Sequence, residues 1–192
     1  MSVLLTFLLL LAPVKVEHAR FNIIKDGNKI GTDEFTIAMR GANYTMDGKL
    51  TMGDLTISSK MELNPKLMPI SYEVSNPEGK LRLNIASPVS ELQTVVGGDT
   101  SSVDFRFPDG GVILDNNFFH HYLILLYRVQ MGQTSFPVFV PQDKSIGSAV
   151  VRSTGPRTYD LEIGDVKMQA TTDADGSLIK LTVPAAKVVV ER

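Results

Sequence analysis

One segment of the chain differs from everything around it. Residues 117–131 read NFFHHYLILLYRVQM, a helix-length run that is apolar on nearly every side. At about 100° per residue, one helical face is lined by apolar side chains while Leu123, Ile124 and Tyr127 fill much of the other face. A helix with so little polar surface must be covered on two sides, and this requirement limits the folds open to the chain.

The rest of the sequence is typical of short antiparallel strands. Segments such as 80–86 alternate apolar and polar residues, which is the period-two pattern of a strand with one buried face. Turn signals recur every eight to twelve residues or so, and they include Asp26-Gly27, Asp47-Gly48 and Asn76-Pro77. Segment 136–141 holds two prolines and is predicted to be an irregular or edge strand. We predict about a dozen strands in all.

These patterns predict a mainly β (α+β) fold. We expect a curved antiparallel sheet or a partly closed β-barrel, with the one apolar helix packed on its concave face. Such an arrangement can leave an apolar cavity between sheet and helix, although a completely filled core is an equal alternative. The residues predicted to line the cavity are Phe118, Phe119, Tyr122, Leu126 and Val129 of the helix, and Phe35, Ile37, Leu83, Ile85 and Phe105 of the strands.

Composition excludes several classes of function. The 192 residues carry a net charge of −2 with no cluster of Lys and Arg, so nucleic acid and anionic membrane surfaces are poor partners. The absence of cysteine removes disulfides, thiol nucleophiles, cysteine-based zinc sites and the lipid-modified cysteine of a bacterial lipoprotein. We predict no cofactor and no stable membrane anchor.

The N-terminus indicates export. Residues 3–12 (VLLTFLLLLA) form an apolar run that is too short to span a bilayer and suits the core of a secretory signal. We therefore predict a signal peptide over residues 1–19, cleaved after Ala19, and a single β-rich domain over residues 20–192. A buried N-terminal strand or helix is the alternative. The predicted location is periplasmic or secreted.

At the level of element pattern, the chain resembles the periplasmic lipoprotein carriers (LolA- and LolB-like) and related exported β-proteins. The resemblance rests on the exported N-terminus, the opening hairpin FNIIKDGNKIGTDEFTI, the internal apolar helix and the closing pair VKMQATTDADGSLIKLTVP. It implies an unclosed barrel around an apolar cavity that shelters acyl chains. No functional residue of those carriers can be matched to a position in this chain.

The polar candidates near the helix are His120, His121 and Arg128. Adjacent histidines lie about 100° apart on a helix, so they cannot bind one metal as histidines four residues apart do, and no metal site is predicted. We expect Asp115, Asn116 or Asn117 to cap the helix.

No catalytic residue is predicted either. The sequence has no G-x-S-x-G motif, and nothing in it places Ser135, Ser145 or Ser153 beside the two histidines.

Three functional hypotheses follow. The leading one is an exported binding protein that shelters a lipid, acyl chain or other hydrophobic molecule. The second is an envelope module with a filled core that binds a partner protein by pairing an edge strand near Pro137 and Pro141. The third is a metal-dependent hydrolase that uses His120 or His121.

Overall fold

The computed structural model describes residues 14–192, and one long sheet dominates it. The first eight strands form a meander, one helix follows a short ninth strand, and six more strands complete the chain. The elements are β1 (Glu17–Lys25), β2 (Asn28–Arg40), β3 (Asn43–Met52), β4 (Leu55–Leu63), β5 (Pro69–Asn76), β6 (Gly79–Asn84), β7 (Ser90–Val96), β8 (Asp99–Phe105), β9 (Val112–Ile113), a 3-10 turn (Phe119–His121), α1 (Tyr122–Gln130), β10 (Ser135–Val140), β11 (Ser145–Gly155), β12 (Thr158–Ile163), β13 (Val166–Thr172), β14 (Leu178–Val183), a second 3-10 turn (Pro184–Ala186) and β15 (Val188–Glu191).

The predicted mainly β fold is confirmed. Strands β1 to β8 run outward as one antiparallel meander, and β10 to β15 run back as another. Pairing of β1 with β15 joins the two meanders into a single sheet, and β9 adds a parallel edge beside β10. In hydrogen-bonding order β8 and β9 are the two ends, so the sheet is not closed into a barrel.

The two ends of the sheet nevertheless approach each other. Phe105 of β8 stacks on Phe139 of β10 with ring centroids 4.9 Å apart, although the two strands lie near opposite ends of the hydrogen-bonding order. Phe107 packs on the same Phe139 ring at 5.8 Å. A sheet whose ends meet in this way must curl, because strands accumulate a right-handed twist. The curl encloses the interior in which the helix lies.

Helix α1 is covered on all sides, as its sequence requires. Six consecutive residues, 123–128, are buried, and six residues span more than one full turn. The helix is shorter than the apolar run, because residues 119–121 form a 3-10 turn and the segment before it is not helical.

The predicted turn at Asp47-Gly48 is wrong. Strand β3 runs straight through both residues, and Gly48 pairs with Phe35 of β2 and with Ser59 of β4. A glycine within a strand often marks a close approach of another part of the molecule. At Gly48 the approaching group is the side chain of His120, from the 3-10 turn that precedes α1.

The proline-rich segment is also not the edge of the sheet. Strand β10 pairs with β11 on one side and with β9 on the other, so β8 is the long exposed edge. Strand β9 covers only Val138 and Phe139. Pro137 therefore has no ladder partner on that side, and its missing N–H costs nothing there.

The predicted signal peptide lies only partly within the described residues. Residues 1–13 are outside them, whereas Glu17 to Ala19 begin β1 and pair with β2. The Glu17 carboxylate accepts two hydrogen bonds from the Arg192 guanidinium at 2.9 and 3.0 Å. A cut after Ala19 would remove these contacts. Over residues 14–192, no helix has the length and apolarity needed to cross a membrane.

Candidate functional site

A buried aspartate and a buried histidine form the centre of the site. Asp33 lies on the inner face of β2, and its Oδ1 accepts a hydrogen bond from Nδ1 of His120 at 2.8 Å. Its Oδ2 accepts the backbone N–H groups of Phe119 at 2.8 Å and His120 at 2.9 Å. Both side chains are fully buried. Because a carboxylate only accepts, Nδ1 of His120 carries the proton in this pair.

Asp33 therefore caps the 3-10 turn that leads into α1. The prediction that Asp115, Asn116 or Asn117 caps the helix is wrong. Neither the 3-10 turn nor α1 has a side-chain cap from the residue at its own start. Asp115 is used differently: its Oδ1 accepts the N–H of Asn117, and its Oδ2 accepts the Tyr72 hydroxyl at 2.6 Å. Residues 115–118 form a turn before the helical segment begins at Phe119. Side chains in this turn are therefore not placed to accept the free backbone N–H groups at the start of that segment.

Gly48 makes room for the His120 ring. The imidazole stacks on Phe35 with centroids 5.4 Å apart, and its edge rests on the backbone of Gly48. A Cβ atom at Gly48 would lie 2.1 Å from Cε1 of His120, a distance at which no two carbon atoms can pack. The glycine in the inner row of β3 is thus what lets the histidine reach Asp33.

Two polar atoms beside Gly48 have no hydrogen-bond partner. They are Nε2 of His120 and Oγ of Ser59, and both are buried. The Cβ position of Gly48 is 2.6 Å from the first atom and 2.8 Å from the second. The two atoms are therefore separated by no more than twice a hydrogen-bond length, so a single oxygen atom can bond to both.

Asp33, His120 and Ser59 are the residue types of a catalytic triad, in which a carboxylate orients a histidine and the histidine activates a serine. Ser59 and His120 are not hydrogen-bonded to each other, however, and both are buried. Ser135, Ser145 and Ser153 are exposed, the first on β10 and the other two on β11.

His121 belongs to a second buried hydrogen-bond network, although its ring centroid lies only 4.7 Å from that of His120. Its Nδ1 accepts the backbone N–H of Asp115 at 3.2 Å, so Nε2 carries the proton. Burial, and then the neighbouring His120, hold the pKa of His121 well below its usual range, and the ring is neutral. Burial and the Asp115 carboxylate raise the pKa of Tyr72, so its hydroxyl stays a donor to Asp115.

Arg128 serves the helix terminus and takes no part in either histidine network. Its guanidinium donates to the Gly110 carbonyl at 3.0 Å and to Oε1 of Gln133 at 2.6 Å, and it lies 5.2 Å from the centroid of the Phe136 ring. Burial lowers the pKa of Arg128. These contacts tie the loop before β9 to the end of α1.

The residues predicted to line a cavity mostly pack in the core. Five of them are fully buried and five are half-buried against the core. Among the cavities described for residues 14–192, Ile85 alone of the ten lines one. The buried set is Phe35, Ile37, Leu83, Phe118 and Leu126, and the half-buried set is Ile85, Phe105, Phe119, Tyr122 and Val129.

An apolar cleft of about 260 Å³ opens next to Ser59. It lies between the inner face of β4 to β7 and the loops that carry Asn117 and Gln142. Val74 lines it and is the cross-strand neighbour of Ser59. Cross-strand side chains lie about 5 Å apart, so Ser59 lies close to this cleft, although it does not line the cleft itself. The apolar residues that line it are Ile57, Val74, Leu81 and Val96.

Four other cavities in the described residues are larger than this cleft, and the two with the greatest volumes have a different character. One, of about 440 Å³, is bordered by Arg106, Asp109 and prolines at the end of the sheet. The other, of about 670 Å³, has Lys15, Asp173 and Asp175 at its rim, and these three already pair with one another. The second cavity also adjoins Ser177, whose buried Oγ has no hydrogen-bond partner among the described residues, but its rim is charged where the cleft near Ser59 is apolar.

Comparisons with known proteins place the chain in no family. No protein-family model, no curated protein and no solved structure matches it. A function for this chain must therefore come from its own residues.

The histidines do not form a metal site with their neighbours. Across the part of the chain that the structure describes, no three His, Cys, Asp or Glu side chains lie close enough to share a metal ion. Nδ1 of His120 faces Asp33, and Nδ1 of His121 accepts from the backbone of Asp115. Each ring thus has only one nitrogen free, and a structural or catalytic zinc site needs at least three protein ligands.

Proposed function

We propose that this protein binds an apolar chain, such as the acyl chain of a lipid, in the cleft beside Ser59. The observation that carries the proposal is a row of four apolar side chains on the inner face of the curled sheet. These side chains line an open cleft, whereas most other apolar side chains of the inner face are buried in the core. Its volume of about 260 Å³ is slightly below the roughly 300–1,000 Å³ of typical ligand pockets, which suits one short unbranched chain.

Binding would be driven by burial of apolar surface. Each methylene removed from water contributes roughly 0.8 kcal/mol, which is about a fourfold gain in affinity per added methylene. The gain should stop when the chain fills the cleft. Release needs little rearrangement, because Val96 at the cleft is more than half exposed.

The proposal includes export of the protein. The apolar run at residues 3–12 and the carrier-like order of elements support a role outside the cytoplasm. A chain-binding protein is useful there because a lipid cannot cross an aqueous compartment unaided. The acyl-chain carriers that the sequence resembles are the functional model for this proposal.

A charge placed at the cleft should abolish much of the binding. We expect Val96→Asp to weaken the binding of decanol on the order of tenfold, because an ionised carboxylate beside the alkyl chain must be desolvated. Isothermal titration of the protein with hexanol, octanol and decanol measures both this loss and the gain of about fourfold per methylene.

Val166→Asp is the matched control. Val96 ends β7 and Val166 begins β13, both are exposed valines, and only Val96 lines the cleft. Affinity of the Val166→Asp variant should stay within about twofold of the original protein, since substitutions away from the site are close to neutral. Equal losses in the two variants, or no saturable binding of any alcohol, would contradict the proposal.

A second candidate function uses the edge strand β8. All seven of its residues except Phe105 are exposed, and it lies at the end of the sheet with no strand on its outer side among the described residues. An exposed edge of this length can accept an extended peptide from a partner protein. This function becomes the better account if none of the alcohols binds.

A further inference from the structure

Close to the apolar cleft, two buried polar atoms have no hydrogen-bond partner among the described residues. Nε2 of His120 and Oγ of Ser59 are buried, and the protein offers neither of them a hydrogen bond. A buried polar group left unpaired costs about 1–3 kcal/mol, so a fold that holds two of them side by side is unusual. Two such atoms next to an apolar cleft suggest a ligand that satisfies both.

The bonding role of each atom is fixed by its surroundings. The proton of the His120 ring is on Nδ1, where it is bonded to Asp33, so Nε2 of the neutral ring has a lone pair and accepts. A proton on Nε2 would be a buried donor without an acceptor among the described residues, whereas the proton on Nδ1 is bonded to Asp33. Ser59 both donates and accepts, as every hydroxyl does.

These roles select the chemistry of the missing partner. It must donate one hydrogen bond to Nε2 and can accept one from Oγ, and a hydroxyl does both with one oxygen atom. An ether or ester lacks the donor. A carboxylate also lacks it, and would bring a second negative charge next to the buried Asp33 carboxylate. One oxygen can bond to both atoms, because they are separated by no more than about twice a hydrogen-bond length.

We propose that the ligand of this protein is an uncharged apolar molecule with a terminal hydroxyl, whose oxygen bridges Ser59 and His120. The inference rests on the proposed function, since the cleft must first hold the apolar chain. Asp33 acts as a positioning residue: it fixes the tautomer and the orientation of the imidazole, and does not contact the ligand.

The experiment compares three ligands of similar chain length by isothermal titration: decanol, decyl methyl ether and decanoate. Decanol should bind about tenfold more tightly than the ether, the effect of one well-placed hydrogen bond in a buried site. Decanoate should bind more weakly than decanol. Ser59→Ala should remove most of the preference for decanol and leave the affinity for the ether within about twofold.

Ser58→Ala is the matched control, because Ser58 is the preceding residue of the same strand and is exposed on the other face. It should keep the full preference for decanol. A thermal melt of each variant checks that it is folded. The comparison of the three ligands on the original protein needs no variant, so it decides the question even if Ser59→Ala unfolds.

The outcomes separate the two proposals. Equal affinity for decanol and the ether would overturn the hydroxyl assignment while keeping the cleft as the binding site, and would mean that a buried water fills the place between Ser59 and His120. Tightest binding of decanoate would overturn it in favour of a charged head group. Binding of none of the three would overturn the proposed function itself.

Discussion

Replacement of Asp33 by Asn should lower the free energy of unfolding by about 3 kcal/mol, because buried donors that lose a charged acceptor are costly. The Asp33 carboxylate accepts two backbone N–H groups and Nδ1–H of His120. An amide has one acceptor oxygen, so at least one of these donors would face an NH₂ group. Urea denaturation followed by circular dichroism measures the change.

Asp47→Asn is the control for this substitution. Asp47 lies on the outer face of the neighbouring strand β3, where it is exposed. Its replacement should change the free energy of unfolding by no more than about 0.5 kcal/mol. A loss of less than about 1 kcal/mol for Asp33→Asn would mean that the Asp33–His120 contact does not hold the helical segment in place.

Gly48→Ala should cost about 2–3 kcal/mol, although it adds a single methyl group. The new Cβ would lie 2.1 Å from Cε1 of His120 and 2.8 Å from Oγ of Ser59, so the imidazole must move. Overpacking of a close-packed core costs about 1–3 kcal/mol, and here the displaced ring also loses its geometry with Asp33. The same urea denaturation measures this loss.

Gly147→Ala is the matched control, since Gly147 also lies within a strand and a Cβ there would meet nothing within 4 Å. This variant should be neutral or slightly more stable, because alanine loses less backbone freedom on folding. In addition, the losses from Gly48→Ala and Asp33→Asn should not add up in the double variant, since both act through His120. Full additivity, or equal effects of the two glycine substitutions, would contradict this role of Gly48.

The architecture could be predicted because its signals are local. Alternating apolar residues and turn signals define strands over a few residues, and the apolar run at residues 117–131 requires a covered helix. The enclosure of α1 by a curled sheet follows from these two features together. The exposed edge could not be predicted in the same way, because it depends on how β9 returns to pair with β10.

The site could not be predicted because its parts are far apart in the sequence. His120 is bonded to Asp33, 87 residues away, and no spacing rule connects them. A signal was present nonetheless. Asp33 is in phase with the inward-facing Phe35 and Ile37 of β2, so the alternation already placed a carboxylate in the core, where it needs a partner.

The position of Gly48 within a strand could not be predicted for a related reason. The pair Asp47-Gly48 has the composition of a tight turn. Yet Gly48 is also in phase with Met46 and Leu50 in the inner row of β3, and a glycine in such a row can mark the place where another side chain packs against the backbone. Local composition could not decide between these two roles, since the side chain that packs there, His120, comes from a distant segment.

The measurement that tests the central claim most directly is the position of the bound chain. Nuclear Overhauser contacts between ¹³C-labelled decanol and the methyl groups of the protein give this position. We expect contacts from the alkyl chain to Val74, Leu81 and Val96, with the hydroxyl end nearest Ser59. Contacts to Met68 and Ile85, which line the larger cavity at the end of the sheet, would contradict the account.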